Sequence, residues 1–461
     1  MISIELNREL STPLYTQVFE QISQKILSGA VKGGTKLPSQ REFANRLGVS
    51  VNTIVGAYNM LIQYEYITSV NKSGYYVNEI NHPESAQPER RWHNDSSLTY
   101  NFSRNGVDLS MSSDFKRAMR QTAKLITDDN FKYPDYSGDY ELRKQICHML
   151  GRYYEIECSP TQVVIGAGLN YLIDSLMRVI GSDKIYGFEN PAYYKVIEPI
   201  RIGAYKTKYL NVKVQGITAE DLSGFDADAL FLMPYHHYPL SYTMTSEQKK
   251  AVIDWAGDNR YVIEYGLDME YVYKSPSKPL FSMAENKNVV FIGDFTKSVS
   301  PGFNLSYLVL PEPLVKRWQA VYLKFHSYAS EFEQRFIAEI IKNGSYARNV
   351  KRLKRGYNSK RELLISAIKS YPYGNRIEIK NSGAGTFLLI EPKTECDFED
   401  LINECHRAGV KLSYIKNALE QPNDRISPRT YILGFGELNE KEIRDGINLL
   451  LDTWGKMMDN N

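Results

Sequence analysis

A chain of 461 residues is too long for one ordinary hydrophobic core, so its length predicts two or more domains. A net charge of only +2 excludes a polycation that coats nucleic acid or membranes. No apolar run approaches the roughly 20 residues of a membrane span, and the N-terminal segment lacks the pattern of a secretory signal. We therefore expect a cytoplasmic protein with no membrane partner.

The cysteines, at positions 147, 158, 396 and 405, form no CxxC pair and have no neighbouring set of histidines. A disulfide framework or a zinc site needs closer and more regular spacing. The sequence therefore predicts reduced thiols and no metal site.

The N-terminal segment begins with two predicted helices. Residues 13–29 carry apolar side chains four positions apart, which is the stripe of an amphipathic helix. A second helix is predicted to begin at Ser39, because Glu42 follows three residues later and the two side chains form a capping box. This helix turns Phe43 and Leu47 inward and ends at Gly48.

A third helix and a hairpin complete the N-terminal segment. The helix begins at Ser50 and places Ile54, Tyr58 and Leu61 on one face. The following residues alternate in polarity around Gly74, as in a two-stranded hairpin. This order of elements is that of a winged helix-turn-helix, which presents the start of the third helix to DNA.

Residues 36–58 (KLPSQREFANRLGVSVNTIVGAY) closely resemble the GntR family of bacterial transcription regulators. The resemblance implies a DNA-binding domain at residues 1–78 with a double-stranded operator as partner. Most relatives carry arginine where this chain has Val51. Residues 1–80 hold seven Lys or Arg against six Asp or Glu, so the attraction of one domain to DNA phosphates is modest. The candidate contacts are to phosphate from Ser39 and Arg41, to base edges from Ser50, Asn52 and Thr53, and to the backbone from Lys72 at the wing tip.

A polar stretch at residues 79–98 separates this segment from the rest of the chain. It holds two prolines and shows neither helical nor alternating apolar periodicity, which is typical of a linker. The body therefore spans residues 99–461.

Apolar strands alternate with helical segments through the body, at 163–167, 229–234, 261–265, 288–295 and 305–310. Continuous apolar strands of this kind predict an α/β fold around a buried, mostly parallel sheet. We expect a large part at about 99–350 and a small C-terminal α+β subdomain at about 351–461.

Four segments of the body resemble fold-type I aminotransferases, the transferases that use pyridoxal phosphate (PLP), and they occur in the order of that family: 136–143, 166–170, 189–193 and 294–302. With the GntR-like head, the chain is identified as a member of the MocR subfamily. The resemblance implies PLP bound at Lys297 as the Schiff-base lysine, with Tyr193 stacking on its ring. The other implied cofactor-binding residues are Gly168, Leu169, Asn170 and Thr296.

Several positions depart from the aminotransferase pattern. Tyr265 stands where relatives have the aspartate that pairs with the pyridine nitrogen, and Leu267 replaces a tyrosine. Asp268 comes three residues late, and we expect it to point away from the site. Asp294 and Asn304 replace a hydroxyl residue and an arginine that bind the phosphate. The sequence therefore predicts weak PLP binding or none, and no catalytic residues for transamination.

Three functions remain open at this point. The first is a homodimeric DNA-binding regulator whose body senses a small effector. The alternative is a PLP-binding aminotransferase with an accessory DNA-binding head. The third is a constitutive regulator whose body only dimerises.

Overall fold

The computed structural model describes residues 4, 6, 13–27, 30–64, 66–70, 73–78, 100–103, 106–108, 110, 112–124, 134–273, 278–285 and 287–459. Residue contacts divide the chain into two compact units, Met1–Asp95 and Ser96–Asn461. The predicted linker at 79–98 lies outside the described residues, and so does Lys72 at the predicted wing tip.

The N-terminal unit has the predicted order of helices and hairpin. Its elements are α1 Leu14–Leu27, α2 Gln40–Leu47, α3 Val51–Gln63, β1 Ile67–Val70 and β2 Gly74–Val77. The strands β1 and β2 pair antiparallel. Apolar side chains of α1 and α3, among them Val18, Ile22, Ile54 and Leu61, pack around the buried ring of Phe43.

The helix-turn-helix is built by local hydrogen bonds. Ser39 caps α2 through the predicted capping box, in which Ser39 Oγ accepts from the Glu42 N–H at 3.3 Å. Gly48 ends α2 with φ +63°, a left-handed conformation that glycine adopts without strain. Ser50 then caps α3 by accepting from the Thr53 N–H at 3.1 Å.

The larger unit is built around a mixed sheet that has seven strands within the described residues, in the order β4-β10-β9-β8-β7-β5-β6. Strand β10 runs antiparallel to β4 and β9, and the other pairings are parallel, so the predicted mostly parallel sheet is confirmed. The strands are β4 Val163–Gly166, β5 Ile185–Asn190, β6 Lys206–Asn211, β7 Ala229–Leu232, β8 Tyr261–Tyr265, β9 Val289–Asp294 and β10 Ser306–Val309.

Helices cover both faces of this sheet. Alternate residues of one strand enter different cores, as Val163 and Ile165 do on one face and Val164 on the other. Between β3 (Tyr100–Asn101) and the small sheet, the helices are α4 Ser113–Lys124, α5 Tyr140–Tyr154, α6 Leu169–Ile180, α7 Tyr194–Ile202, α8 Ala219–Leu222, α9 Ser246–Ala256, α10 Leu280–Met283, α11 Glu312–Tyr322, α12 Glu331–Lys342 and α13 Ser345–Ser370.

A small antiparallel sheet follows α13, with the order β11-β12-β15-β14. A third core lies between this sheet and the helices α13 and α15, where the indole of Trp454 is fully buried. Here the elements are β11 Ile377–Lys380, β12 Phe387–Pro392, α14 Phe398–Arg407, β13 Val410–Lys411, β14 Ser413–Tyr414, β15 Tyr431–Gly434 and α15 Glu440–Asp459, and β13 pairs with β3.

Across the described ranges, no helix combines the length and the apolar composition needed to span a bilayer. The same residues contain no group of three or more metal-ligating side chains that could hold a metal ion. The four cysteines are free thiols, and the Sγ atoms of Cys147 and Cys158 lie 3.4 Å apart.

Candidate functional site

A cavity of about 330 Å³ lies where the carboxyl ends of β4, β8 and β9 meet. Ligands of open α/β sheets bind at this edge, because the loops that follow the strands converge there. The six residues that the aminotransferase resemblance implies for the cofactor all line this one cavity: Gly168, Leu169, Asn170, Tyr193, Thr296 and Lys297.

Lys297 is held by a carboxylate inside the protein. Its Nζ lies 2.7 Å from Asp268 Oδ1 and 2.9 Å from Asp268 Oδ2. The expectation that Asp268 points away from the site is therefore wrong. Asp268 follows β8 in a left-handed conformation (φ 55°), which turns its side chain back towards the lysine. Although Asp268 lies three residues after the position of the relatives' aspartate, this turn still brings its carboxylate to Lys297.

Asp268 also anchors a buried network that the sequence analysis missed. His236 Nδ1 lies 2.7 Å from Asp268 Oδ2, and His236 Nε2 lies 2.9 Å from Ser241 Oγ. Gly385 packs directly on the imidazole, since a Cβ atom at this glycine would lie 1.8 Å from the ring. Thr386, at 3.5 Å from Lys297 Nζ, brings the C-terminal part of the chain to the same place.

The charges of this network are set by burial and pairing. Asp268 is buried, which by itself opposes ionisation, but Lys297 and His236 lower the pKa of Asp268 to about 2. Burial lowers the pKa of His236, so a neutral imidazole donates from Nδ1 to the carboxylate. Lys297 and Asp268 therefore form an ion pair inside the protein, in which the carboxylate of Asp268 is fully buried.

A second carboxylate, Asp294, lies in the cavity at the end of β9. It accepts a short hydrogen bond from the Tyr265 hydroxyl and another from the Thr296 N–H at 2.9 Å. Burial raises the pKa of Tyr265, so its phenol stays protonated and acts as the donor. The hydroxyl of Tyr265, at the end of the neighbouring strand β8, is therefore occupied by a hydrogen bond to another residue of the protein.

Helix α6 begins at the cavity, and its first turn is bordered by Asn304. Gly168 has φ +91° and leaves no side-chain cap on the first N–H groups of α6. A Cβ atom at Gly168 would lie 2.6 Å from the amide of Asn304, so the side chain of Asn304 is packed against this turn. The helix terminus remains an anion-attracting element, but an amide stands beside it instead of a cation.

Tyr193 is largely buried in the wall of the cavity, with 8% of its surface exposed. Its ring centroid lies 4.8 Å from that of Tyr238 and 5.5 Å from that of Tyr194. These contacts fix the orientation of the Tyr193 ring, so an aromatic surface is presented to whatever molecule enters the cavity.

Behind the lysine loop, Glu270 is held by the Tyr346 hydroxyl at 3.1 Å, and the same hydroxyl lies 3.2 Å from Ser298 Oγ. Loss of hydration, together with Asp294 and Asp268 nearby, raises the pKa of Glu270 to about 8. The folded protein therefore keeps a proton on Glu270 at neutral pH.

The pKa of Glu270 predicts a pH dependence of stability. Between pH 4.5 and about 8, the folded state holds a proton that the unfolded state has released, so stability falls as pH rises through this window. Glu270→Gln stays neutral and should remove a slope of at most about 1.4 kcal/mol per pH unit. Unfolding midpoints at pH 5.5 and pH 8 measure this, with the exposed Glu378→Gln as control. Equal slopes in the Glu270→Gln and unchanged proteins would contradict it.

In the N-terminal unit, the candidate DNA contacts lie at the starts of α2 and α3. Ser39 and Arg41 are exposed around the first turn of α2, and Ser50 and Asn52 are exposed at the start of α3. Thr53 is half-buried, and its hydroxyl lies 2.8 Å from Ser50 Oγ. The Ser50 hydroxyl caps α3 and is hydrogen-bonded to the Thr53 hydroxyl, whereas Asn52 is exposed to solvent.

Both units match family models. Residues 14–77 match the model of bacterial regulatory proteins of the gntR family. Residues 99–427, more than half of the chain, match the model of aminotransferase class I and II. The likeness extends to solved structures at the level of the fold. An archaeal alanine:glyoxylate aminotransferase is 20% identical with a TM-score of 0.68, covering 78% of this chain and 91% of that chain.

Relatives of nearly full length carry both parts. The uncharacterized HTH-type transcriptional regulator YdeL of Bacillus subtilis is 26% identical over 97% of this chain and 98% of its own length. The probable rhizopine catabolism regulatory protein MocR of Rhizobium meliloti is 24% identical over 96% of this chain and 94% of its own length. The chain therefore belongs to the aminotransferase class I and II family, carries a gntR-family domain at its N-terminus, and is a DNA-binding transcription regulator of the MocR type.

Proposed function

We propose that the aminotransferase-like unit of this regulator senses a small effector other than pyridoxal phosphate, while the starts of α2 and α3 bind the operator. The observation that carries the proposal is the position of Asp294, whose carboxylate lines the cavity where relatives hold a phosphate. We propose no catalytic role for the cavity, and we expect no transamination.

The charges of the cavity oppose a phosphate group. Asp294 and a phosphate dianion repel each other, and Asn304 supplies no cation to offset this repulsion. At about 4 Å and an effective dielectric constant near 20, each pair of unit charges contributes about 4 kcal/mol before screening by salt. The N-terminus of α6 carries only about half a positive charge. PLP is therefore expected to bind weakly or not at all.

The chemistry of transamination is opposed as well. PLP withdraws electrons through its protonated ring nitrogen, and that protonation needs a carboxylate partner. Tyr265 holds the corresponding position, and its hydroxyl donates a hydrogen bond to Asp294. The amine of Lys297 is engaged by the carboxylate of Asp268, with its Nζ 2.7 Å from Asp268 Oδ1. These contacts favour the regulator over the alternative of an aminotransferase with a DNA-binding head.

At the operator, we propose that Arg41 contacts phosphate and that Asn52 contacts a base edge. Arg41 is exposed beside the N-terminus of α2, where a phosphate would also accept from backbone N–H groups. Asn52 is exposed in the first turn of α3, and an asparagine amide pairs with adenine in the major groove. Ser39, Ser50 and Thr53 are proposed to support these two contacts.

Two substitutions should separate these roles. Arg41→Ala is expected to weaken binding to all duplexes alike and to lower the salt slope by about one, because a phosphate contact carries no sequence information. Asn52→Ala is expected to cost about 1–3 kcal/mol at the selected operator and to relax its sequence preference. Titration of the selected and a scrambled duplex at several salt concentrations measures both effects.

Matched controls use residues of the same type elsewhere. Asn59→Ala changes an exposed asparagine near the other end of α3, and Arg407→Ala removes an exposed arginine of the larger unit. Both should bind the operator as the unchanged protein does. Removal of residues 1–78 should abolish binding, and retained operator affinity after that deletion would contradict the assignment.

We also propose that the protein is a homodimer. The family is typically dimeric, and the near-neutral N-terminal domain gains useful affinity when two copies bind one operator. Light scattering at micromolar concentration is expected to give twice the chain mass of 52.9 kDa. A strictly monomeric mass under these conditions would rule the dimer out.

A further inference from the structure

We infer that the cavity beside Lys297 binds a compact organic amine through its ammonium group, and this inference rests on the effector-sensing function proposed above. It assigns the effector a charge opposite to that of a phosphate. The cavity itself, its carboxylate and its aromatic walls carry the argument.

Asp294 is a carboxylate with unused hydrogen-bonding capacity. Its Oδ2 accepts from the Tyr265 hydroxyl, and its Oδ1 accepts from the Thr296 N–H at 2.9 Å. A carboxylate has about four acceptor positions, so positions remain for a donor in the cavity. Within the part of the chain that the structure describes, no lysine, arginine or histidine forms an ion pair with Asp294. A ligand ammonium would supply the missing charge.

Within the described residues, none of the other charged groups around the cavity forms an ion pair with Asp294. Lys297 contacts both oxygens of Asp268, so this pair contributes little net charge. Lys195 lines the cavity but is exposed to solvent, which screens its ammonium. The N-terminus of α6 contributes about half a positive charge, which offsets only part of one carboxylate. The carboxylate of Asp294 is therefore the group in the cavity wall that a ligand ammonium would contact.

The aromatic side chains that line the cavity can pack against the apolar part of an amine. Tyr193 and Tyr265 are buried in the lining, and Tyr194 stands beside Tyr193 with 56% of its surface exposed. Aromatic faces attract ammonium groups and also pack against rings or chains. A volume of about 330 Å³ accommodates only a small molecule. The ligand class is therefore a compact aryl- or alkylamine without phosphate.

Three fluoroaromatic probes that differ in their polar group test this inference on the full-length protein. They are 4-fluorobenzylamine, 4-fluorobenzyl alcohol and 4-fluorophenyl phosphate, and fluorine NMR follows their binding. We expect the amine to bind at millimolar or lower concentration and at least tenfold more tightly than the alcohol. The phosphate should show no binding. Asp294→Asn should weaken the amine about tenfold, whereas the exposed Asp258→Asn should leave its affinity unchanged.

The reciprocal variant tests the same charges. Asp294→Ser with Asn304→Arg should lose the amine and gain the aryl phosphate. Equal binding of the amine and the alcohol, an amine affinity indifferent to Asp294→Asn, or no amine binding would each overturn the inference. Operator titration of the same samples reports on the regulatory function alone. An amine failure with intact DNA binding therefore rejects the ligand class and not the regulator.

Discussion

Asp294→Ser combined with Asn304→Arg is expected to raise the affinity for pyridoxal phosphate at least about 100-fold, as measured by calorimetry. The first change removes a carboxylate that repels the phosphate and returns a hydroxyl donor. The second adds a guanidinium beside the turn at Gly168, against which Asn304 now packs. Charge-assisted hydrogen bonds of this kind are the strong ones in phosphate sites.

A variant of the same composition serves as the control for this experiment. Asp258→Ser with Asn259→Arg makes the same two exchanges in the exposed turn after α9, so net charge is matched while the cavity is unaltered. Its affinity for pyridoxal phosphate should stay as weak as that of the unchanged protein. Micromolar or tighter binding by the unchanged protein, lost in Lys297→Ala, would show that the cavity is a working cofactor site.

Asp268→Asn is expected to destabilise the fold by about 3–5 kcal/mol, because it leaves the ammonium of Lys297 without its counter-charge. The side chain of Asp268 is fully buried and that of Lys297 is 15% exposed, so water cannot replace the lost partner well. Adding Lys297→Met should recover most of this loss, since it removes the unpaired charge. Denaturant unfolding of the unchanged protein, the two single variants and the double variant gives the coupling energy between Asp268 and Lys297.

The control for this cycle is an exposed ion pair. Asp174 and Arg178 lie 2.9 Å apart on the surface of α6, and exposed pairs contribute only about 0.3–0.5 kcal/mol. Asp174→Asn should therefore change stability little. If Lys297→Met restored nothing in the Asp268→Asn protein, the cost would lie in the hydrogen bond to His236 and not in the ion pair.

Acid unfolding offers an independent measure of the same pair. The pKa of Asp268 is lowered from 3.8 to about 2, so its contribution is fully present above pH 3.8 and is lost as pH falls towards 2. The double variant Asp268→Asn with Lys297→Met should lack the loss of stability that Asp268 causes between pH 3.8 and about 2.

The sequence by itself determined the elements of the N-terminal unit and five strands of the larger sheet, but not β5 or β6. Capping residues, glycine turns and apolar periodicity are local signals, so Ser39, Gly48 and Ser50 marked the helix boundaries of the N-terminal unit correctly. The continuous apolar strands likewise predicted the buried sheet, since a strand covered on both faces has no polar side. The six cofactor positions came from motifs that keep their spacing, and all six line one cavity.

Only the tertiary structure decided which groups meet inside that cavity. His236 follows β7 and Asp268 follows β8, and the pairing of these neighbouring strands brings the two residues together. The sequence held a signal for this meeting, because the carboxyl ends of parallel neighbours converge. The left-handed backbone turn at Asp268 had no such signal in the sequence. Asp268 was therefore predicted to point away from the site, whereas it contacts Lys297. Thr386 reaches Lys297 from a separate sheet far along the chain, a contact that no local pattern specifies.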